Sequence, residues 1–277
     1  MKNILVPSDF SKTSLNAFKF AIDVAALSGG KVHIVHVIEL PAMPNSALTP
    51  VQAFGVPLRR EMAAKARAHY DKLTANSNPD DVPCEFSVEF GAPSRSILEY
   101  AKKNKIDLIV MGSHGADGLK EYFVGSNAEK IVRTSPVPVI VVKSFYKGPV
   151  KNIVVPFTLD QDNYPGFFQN IKALQKFFKA HLHFLWVNTP ANFTLDEVTY
   201  RRVDGLAKKY RISDYSIDIY NQLYEEQGIL KFAEATNADM IAMGTHGRKG
   251  IAHMVYGSKT ENVANHGKTL IWTSVLK

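Results

Sequence analysis

One stretch of the chain occurs twice, and it restricts the fold more than any other feature. The first copy is Met111-Gly112-Ser113-His114-Gly115, nine residues, then Gly125-Ser126-Asn127-Ala128-Glu129. The second is Met243-Gly244-Thr245-His246-Gly247, nine residues, then Gly257-Ser258-Lys259-Thr260-Glu261. Each follows a short apolar run, Leu108-Ile109-Val110-Met111 or Met240-Ile241-Ala242-Met243, of the kind that forms a buried parallel strand. Glycines at the end of a strand let the backbone come close to a ligand. The third glycine leads into Ser-x-x-Glu, a capping box that opens a helix (Ser126 with Glu129, Ser258 with Glu261). A helix N-terminus offers free N–H groups and positive dipole charge to an anion. The stretch therefore reads as a phosphate cradle, at a spacing that matches neither Walker A nor the G-x-G-x-x-G pattern. A single copy is as well explained by two turns and a cap; two copies at identical spacing argue against chance.

The rest of the chain repeats in register with it. Lys2-Asn3-Ile4-Leu5-Val6-Pro7 and Lys151-Asn152-Ile153-Val154-Val155-Pro156 each start a strand. Periodicity predicts strands over 3–7, 32–38, 84–90, 108–111 and 137–142, alternating with helices near 11–28, 59–75, 94–104 and 127–134. After a linker at 143–150 the same order returns: helix 163–178, strand 182–187, helix 195–210, strand 215–220, helix 227–236, strand 240–243, the second glycine loop with its capped helix, and strand 269–275. The expected architecture is α/β: two tandem open five-stranded parallel-sheet domains, 1–145 and 150–277, with helices on both faces and right-handed crossovers. Segment 40–57, with Pro41, Pro44, Pro50, Pro57 and Gly55, is expected to be irregular, a lid or an arm for a partner.

Composition narrows the function classes. The formal net charge is +7, but the basic residues are scattered, and the densest cluster, 201–211, reads as a solvated helix face. Nucleic acid is therefore a disfavoured partner. The single cysteine, Cys84, permits no intrachain disulfide and suits a reducing compartment. With no signal-like leader and no apolar run of about 18 residues, the expectation is a cytoplasmic protein without a membrane span. His33 and His36 point to opposite faces of a strand. His181 and His183 share a face, with no carboxylate or cysteine close in sequence, so zinc is disfavoured. His114 and His246 read as turn residues. There is no G-x-S-x-G elbow and no H-E-x-x-H, so no catalytic residue and no metal ligand is assigned.

With these residues in view, the chain resembles a tandem universal stress protein along nearly its whole length. The resemblance rests on Ile4-Leu5-Val6-Pro7-Ser8-Asp9-Phe10-Ser11, on His36-Val37, on both glycine stretches and on Ser135-Pro136-Val137-Pro138-Val139. It implies a Rossmann-like sheet of order 3-2-1-4-5, pairing of the two domains through strand five, and ATP binding, with Mg, where the glycine motif is present. Ligands on such a sheet bind at the carboxyl ends of the strands where the order reverses, here between strands one and four. Carried over by residue, the resemblance sets Pro7 and Asp9 near the adenosine and Val37 and Met111 against the base. Gly112, Gly115, Gly125, Ser126 and Asn127 are then at ribose and phosphates, with Gly244, Gly247, Gly257 and Ser258 as their counterparts.

The two halves depart from the pattern differently. Ala116-Asp117 follow Gly115 where the family has a basic residue, with Lys120 near enough in sequence to compensate. Thr158 replaces the acidic residue in the second half, and Arg248-Lys249 follow Gly247. Gly267-Lys268-Thr269-Leu270 replaces the proline pair before the last strand. The expectation is a nucleotide in the first half and an altered second site that Phe157, Trp186 or Tyr256 could fill. Function is then a nucleotide-binding stress-response regulator, non-catalytic or slowly hydrolysing. The alternative is an interaction or dimerisation module with degenerate sites, whose partners are a second copy or another protein.

Overall fold

Ile4, Leu5 and Val6 expose none of their surface, so the first strand must be covered on both faces and paired on both edges. The computed structural model describes residues 1–39, 55–79, 81–113, 126–157, 164–245 and 269–275. Its elements run β1 (Asn3–Pro7), α1 (Lys12–Ser28), β2 (Lys31–Ile38), α2 (Val56–Ser77), β3 (Cys84–Phe90), α3 (Pro93–Lys103), β4 (Leu108–Gly112), α4 (Ser126–Thr134) and β5 (Val139–Val142). They continue as β6 (Asn152–Pro156), α5 (Pro165–Phe178), β7 (His181–Asn188), α6 (Asp196–Tyr210), β8 (Tyr215–Asn221), α7 (Glu225–Ala235), β9 (Met240–Gly244) and β10 (Leu270–Ser274).

The first five strands lie in the order β3-β2-β1-β4-β5. β1 is parallel to β2 (Pro7 beside Val35) and to β4 (Leu5 beside Ile109). This is the open, parallel-dominated α/β sheet of order 3-2-1-4-5 that the resemblance implied. The order recurs in the later strands as β8-β7-β6-β9-β10. Contacts divide the chain into two compact units, Met1–Ile131 and Val132–Lys277. Within the second unit β10 runs antiparallel to β5, with Trp272 beside Ile140, and parallel to β9.

Local chemistry sets the element ends. α1 is capped by Ser11, whose hydroxyl accepts the Ser14 N–H, and it stops at Gly29 in the left-handed region at φ 57°. Phe18, Ile22 and Ala25 are buried together with Ala17 and Ala21, whereas Ala26 is exposed. α2 begins at Val56 rather than 59, because Pro57 suits a first helical turn, where its missing N–H costs nothing. The irregular segment expected over 40–57 is thus shortened at its end; Leu40–Phe54 lie outside the described residues. β5 starts at Val139 rather than 137: Pro138 lacks an N–H, and the Ser135 hydroxyl takes the Val137 N–H at 3.2 Å instead.

A carboxylate ties each central strand to the one that follows it in space. Asp107, just before β4, accepts the N–H groups of Lys2 (2.6 Å) and Asn3 (3.0 Å) on one oxygen. Asp239, just before β9, does the same for Lys151 (2.8 Å) and Asn152 (2.9 Å), and its second oxygen accepts the Tyr146 hydroxyl at 2.9 Å. Asp239→Ala removes the acceptor of all three donors. It is expected to cost about 1–3 kcal/mol of unfolding free energy, read as a lower urea midpoint with an unchanged slope. Asp107→Ala should shift stability in the same direction.

Candidate functional site

The turn after β1 is held from within. Ser8 extends the ladder by donating its N–H to the Val35 carbonyl at 2.9 Å. Asp9 then makes an Asx turn, its Oδ1 accepting the Ser11 N–H at 3.0 Å. Phe10 between them sits at φ 62°, the left-handed region a bulky residue seldom enters. The Ser8 hydroxyl accepts the Phe10 N–H at 3.2 Å, and the His36 Nδ1–H donates to the Ser8 carbonyl at 2.8 Å. That bond assigns the Nδ1 proton of His36 and leaves Nε2 as the acceptor of the neutral ring. The Phe10 ring lies between His36 (4.8 Å between centroids) and His69 of α2 (5.2 Å).

α1 joins this turn to β4. Its cap, Ser11, holds Asp9, and its first turn abuts Gly112: a methyl group built on Gly112 would meet the Thr13 carbonyl carbon at 2.9 Å. Pro7 ends β1 and Met111 is the penultimate residue of the neighbouring parallel strand β4, 6% exposed. Pro7, Asp9, Met111 and Gly112 are thus brought to one end of the sheet, at the point where the strand order reverses. Val37 is half-buried at the carboxyl end of β2, one strand away. Ser126, exposed, and Asn127, half-buried, open α4, one residue earlier than predicted. Gly115 and Gly125, with Ala116, Asp117 and Lys120, lie outside the described residues.

The second unit repeats the backbone and changes the side chains. Phe157 donates its N–H to the Leu185 carbonyl at 2.8 Å, the bond that Ser8 makes to Val35. Phe157 thereby takes the place of Ser8, and Trp186 that of His36. Both are 2% exposed, with ring centroids 6.4 Å apart, and Phe157 also packs on Phe168 of α5. The Trp186 Nε1–H donates to Asn188 Oδ1 at 2.7 Å. A half-exposed turn among ionisable rings has become an aromatic core. Gly244 ends β9 as Gly112 ends β4. Thr158, Gly247, Arg248, Lys249, Tyr256, Gly257 and Ser258 lie outside the described residues.

Sequence reasoning missed the partners that neighbouring strands supply. His181 and His183 do have carboxylates nearby: Asp214, just before β8, at 2.7 Å and Asp218 of β8 at 3.3 Å. Among the described residues, no group of three or more His, Cys, Asp or Glu is placed to hold a metal. Cys84 starts β3, away from the carboxyl ends, and burial pushes its thiol up to about 11, so it is un-ionised at neutral pH. No described helix is long and apolar enough to cross a membrane.

The universal stress protein family matches residues 1–143 and again 224–271. The chain belongs to this family. Residues 144–223, which hold Phe157 and Trp186, fall outside the matched ranges. Among curated relatives, a universal stress protein of Methanocaldococcus jannaschii is 30% identical over 142 residues, covering 51% of this chain and 82% of the relative. Among solved structures, a universal stress protein from Archaeoglobus fulgidus aligns over 99% of this chain and 98% of its own, with a TM-score of 0.72 at 17% identity. Another, solved in complex with cAMP, covers 51% of this chain and 95% of its own, at 24% identity and a TM-score of 0.37.

Two expectations follow from the packing. Gly112→Ala forces β4 away from α1 and should cost about 1–3 kcal/mol, seen as a lower thermal midpoint. His33 is 2% exposed, beside the Tyr100 hydroxyl at 3.2 Å. Burial pushes its imidazole below the ordinary range; Glu85 opposes the shift and Lys31 adds to it. The unfolded chain takes up a proton near pH 6.5 that the folded chain resists. Stability is therefore retained above about pH 6.5 and falls as pH drops below it. His33→Phe should flatten that dependence in a pH series of melting curves.

Proposed function

We propose that the chain is a nucleotide-binding regulatory protein of the cytoplasm, in which the first repeat, residues 1–145, takes up ATP with Mg. The observation that carries this reading is the joint made by α1: its cap holds Asp9 and its first turn abuts Gly112, across the reversal of strand order. A crevice of that kind is where open parallel sheets receive ligands. Asp9 would accept from the ribose hydroxyls, Val37 and Met111 would wall the base, and the α4 terminus at Ser126 and Asn127 would meet the phosphates with Gly115 and Gly125. The role is binding rather than chemistry: the Nδ1–H of His36 is committed to the Ser8 carbonyl, and the Cys84 thiol is neutral and lies at the other end of its strand.

The second repeat, residues 150–277, supports a different reading. Phe157 and Trp186 fill the space that Ser8 and His36 border in the first, which favours an interaction module that has given up its nucleotide. Gly244, Gly247, Gly257 and Ser258 would then shape a loop without a ligand. One nucleotide per chain is the result expected.

Calorimetric titration of nucleotide-stripped protein with Mg-ATP tests this. Asp9→Asn is the informative variant, because the amide oxygen keeps the Ser11 turn while the charge is lost. One site per chain, weakened at least about tenfold (1.4 kcal/mol) in the variant, supports the reading. An absence of binding by folded protein, or full affinity in Asp9→Asn, overturns it.

A further inference from the structure

His181 opens β7 and His183 follows two residues on, so both stand on one face of the sheet. They lie at the amino end of the strand, the opposite end from the glycine stretches. Their ring centroids are 4.7 Å apart, with the planes at 70°. Neighbouring groups fix where the ring protons sit. His181 Nδ1 is 2.7 Å from Asp214 Oδ1, and a carboxylate only accepts, so Nδ1 carries the proton. At His183 the Ser216 hydroxyl decides. It gives its one proton to Asp218 Oδ2 at 2.5 Å, and so it accepts the His183 Nδ1–H at 2.9 Å. Both Nδ1 atoms are donors, which leaves the lone pair of each neutral ring on Nε2.

The first repeat shows the same place built for packing. Val32 lies beside Cys84 as Leu182 lies beside Tyr215, so Lys31 and His33 of β2 hold the positions of His181 and His183. There one carboxylate serves both residues: Glu85 binds the Lys31 ammonium at 2.5 Å with one oxygen and stands 3.3 Å from His33 Nδ1 with the other. The Tyr100 hydroxyl adds a contact at 3.2 Å, and His33 is 2% exposed. In the second repeat an imidazole replaces the ammonium, and each imidazole has a carboxylate of its own. Phe232 stands where Tyr100 does, against His183 and without a hydroxyl. Solvent reaches both rings, whose side chains are 32% (His181) and 16% (His183) exposed. Packing accounts for His33. It does not account for two open imidazoles, each oriented from behind by an acceptor.

We propose that His181 and His183 bind one divalent transition-metal cation through their Nε2 atoms. A histidine that ligates a metal almost always donates its other ring N–H to a carboxylate, a carbonyl or water, which fixes the tautomer and raises the basicity of the ligating nitrogen. Asp214 and the Ser216–Asp218 pair supply that support here. Imidazole nitrogen suits copper, nickel and zinc, and among the divalent ions copper binds most strongly. Rings this close need only turn about their side-chain bonds to bring two Nε2 atoms to one ion. His181 has room to turn and Asp214, 68% exposed, room to follow it. Among the described residues no third His, Cys, Asp or Glu completes the set. Structural zinc sites use four protein ligands; here water takes the remaining positions, so the ion exchanges. The inference does not depend on the nucleotide reading.

Titration of the metal-free full chain with Cu²⁺, followed by electron paramagnetic resonance, tests it. The tightest site should take one ion per chain and show coupling to two imidazole nitrogens. His181→Asn and His183→Asn each keep an N–H for the carboxylate and lack the distal nitrogen. Each should raise the dissociation constant at least about tenfold and leave coupling to one nitrogen, with the circular dichroism unchanged. Asp214→Ala keeps both Nε2 atoms and should weaken binding about 10–100-fold. A wild-type spectrum without two coupled nitrogens overturns the proposal, and needs no variant to fold. So does a two-nitrogen signal that survives either histidine variant. Full affinity in Asp214→Ala overturns it as well, because the histidines would then be capturing copper without a site built around them.

Discussion

The fold depends on β1 and β6 being central strands with a parallel neighbour on each side. A central parallel strand needs both edges satisfied and both faces covered, and the chain must leave on one side and return on the other. Asp107 and Asp239 sit at that return, where one carboxylate oxygen collects the N–H groups of the central strand's first residue and of the residue before it. Once the strand order reverses about β1, the turn after β1 and the end of β4 are left side by side with no helix between their carboxyl ends. The candidate site follows from this arrangement of backbone before any side chain is specified.

The same backbone carries two different interiors. In the first unit the turn holds Ser8, Asp9 and Phe10 among imidazoles, with a left-handed phenylalanine and a carboxylate bound to its own chain. In the second, Phe157 and Trp186 take the positions of Ser8 and His36 and join Phe167, Phe168 and Trp272 in an aromatic cluster. Burying such rings stabilises a small domain by about 1.5–3 kcal/mol each, whereas the polar turn of the first unit forgoes that burial.

Histidines show how the sheet separates residues that are close in sequence. His33 faces α3 and meets Tyr100, whereas His36, on the other side of the sheet, meets Phe10 and the Ser8 carbonyl. Alternation along a strand predicts this separation. His183 faces α7 and Phe232 just as His33 faces α3. It also gains Ser216 and Asp218 from β8, the next strand in the sheet but 33 and 35 residues on in the chain.

Local patterns were enough to read the duplication, the strand and helix order and the sheet class. Each rests on periods of two and 3.6, on glycine and proline at element ends and on caps within four residues, all of which lie along the chain. The placement of Pro7, Asp9, Met111 and Gly112 at one end of the sheet was legible too, because the resemblance implied the strand order and the reversal within it. What the sequence left open was contact across the fold. That Gly112 is demanded by Thr13, that Asp214 and Asp218 reach two histidines, and that Asn188 accepts the Gln222 N–H all depend on strands and helices distant in the chain. The sequence determined the repeated order of strands and helices and the glycines that end β4 and β9. The tertiary structure decided which of those ends stays polar and which is filled, because burial and pairing are properties of neighbours that only packing assigns.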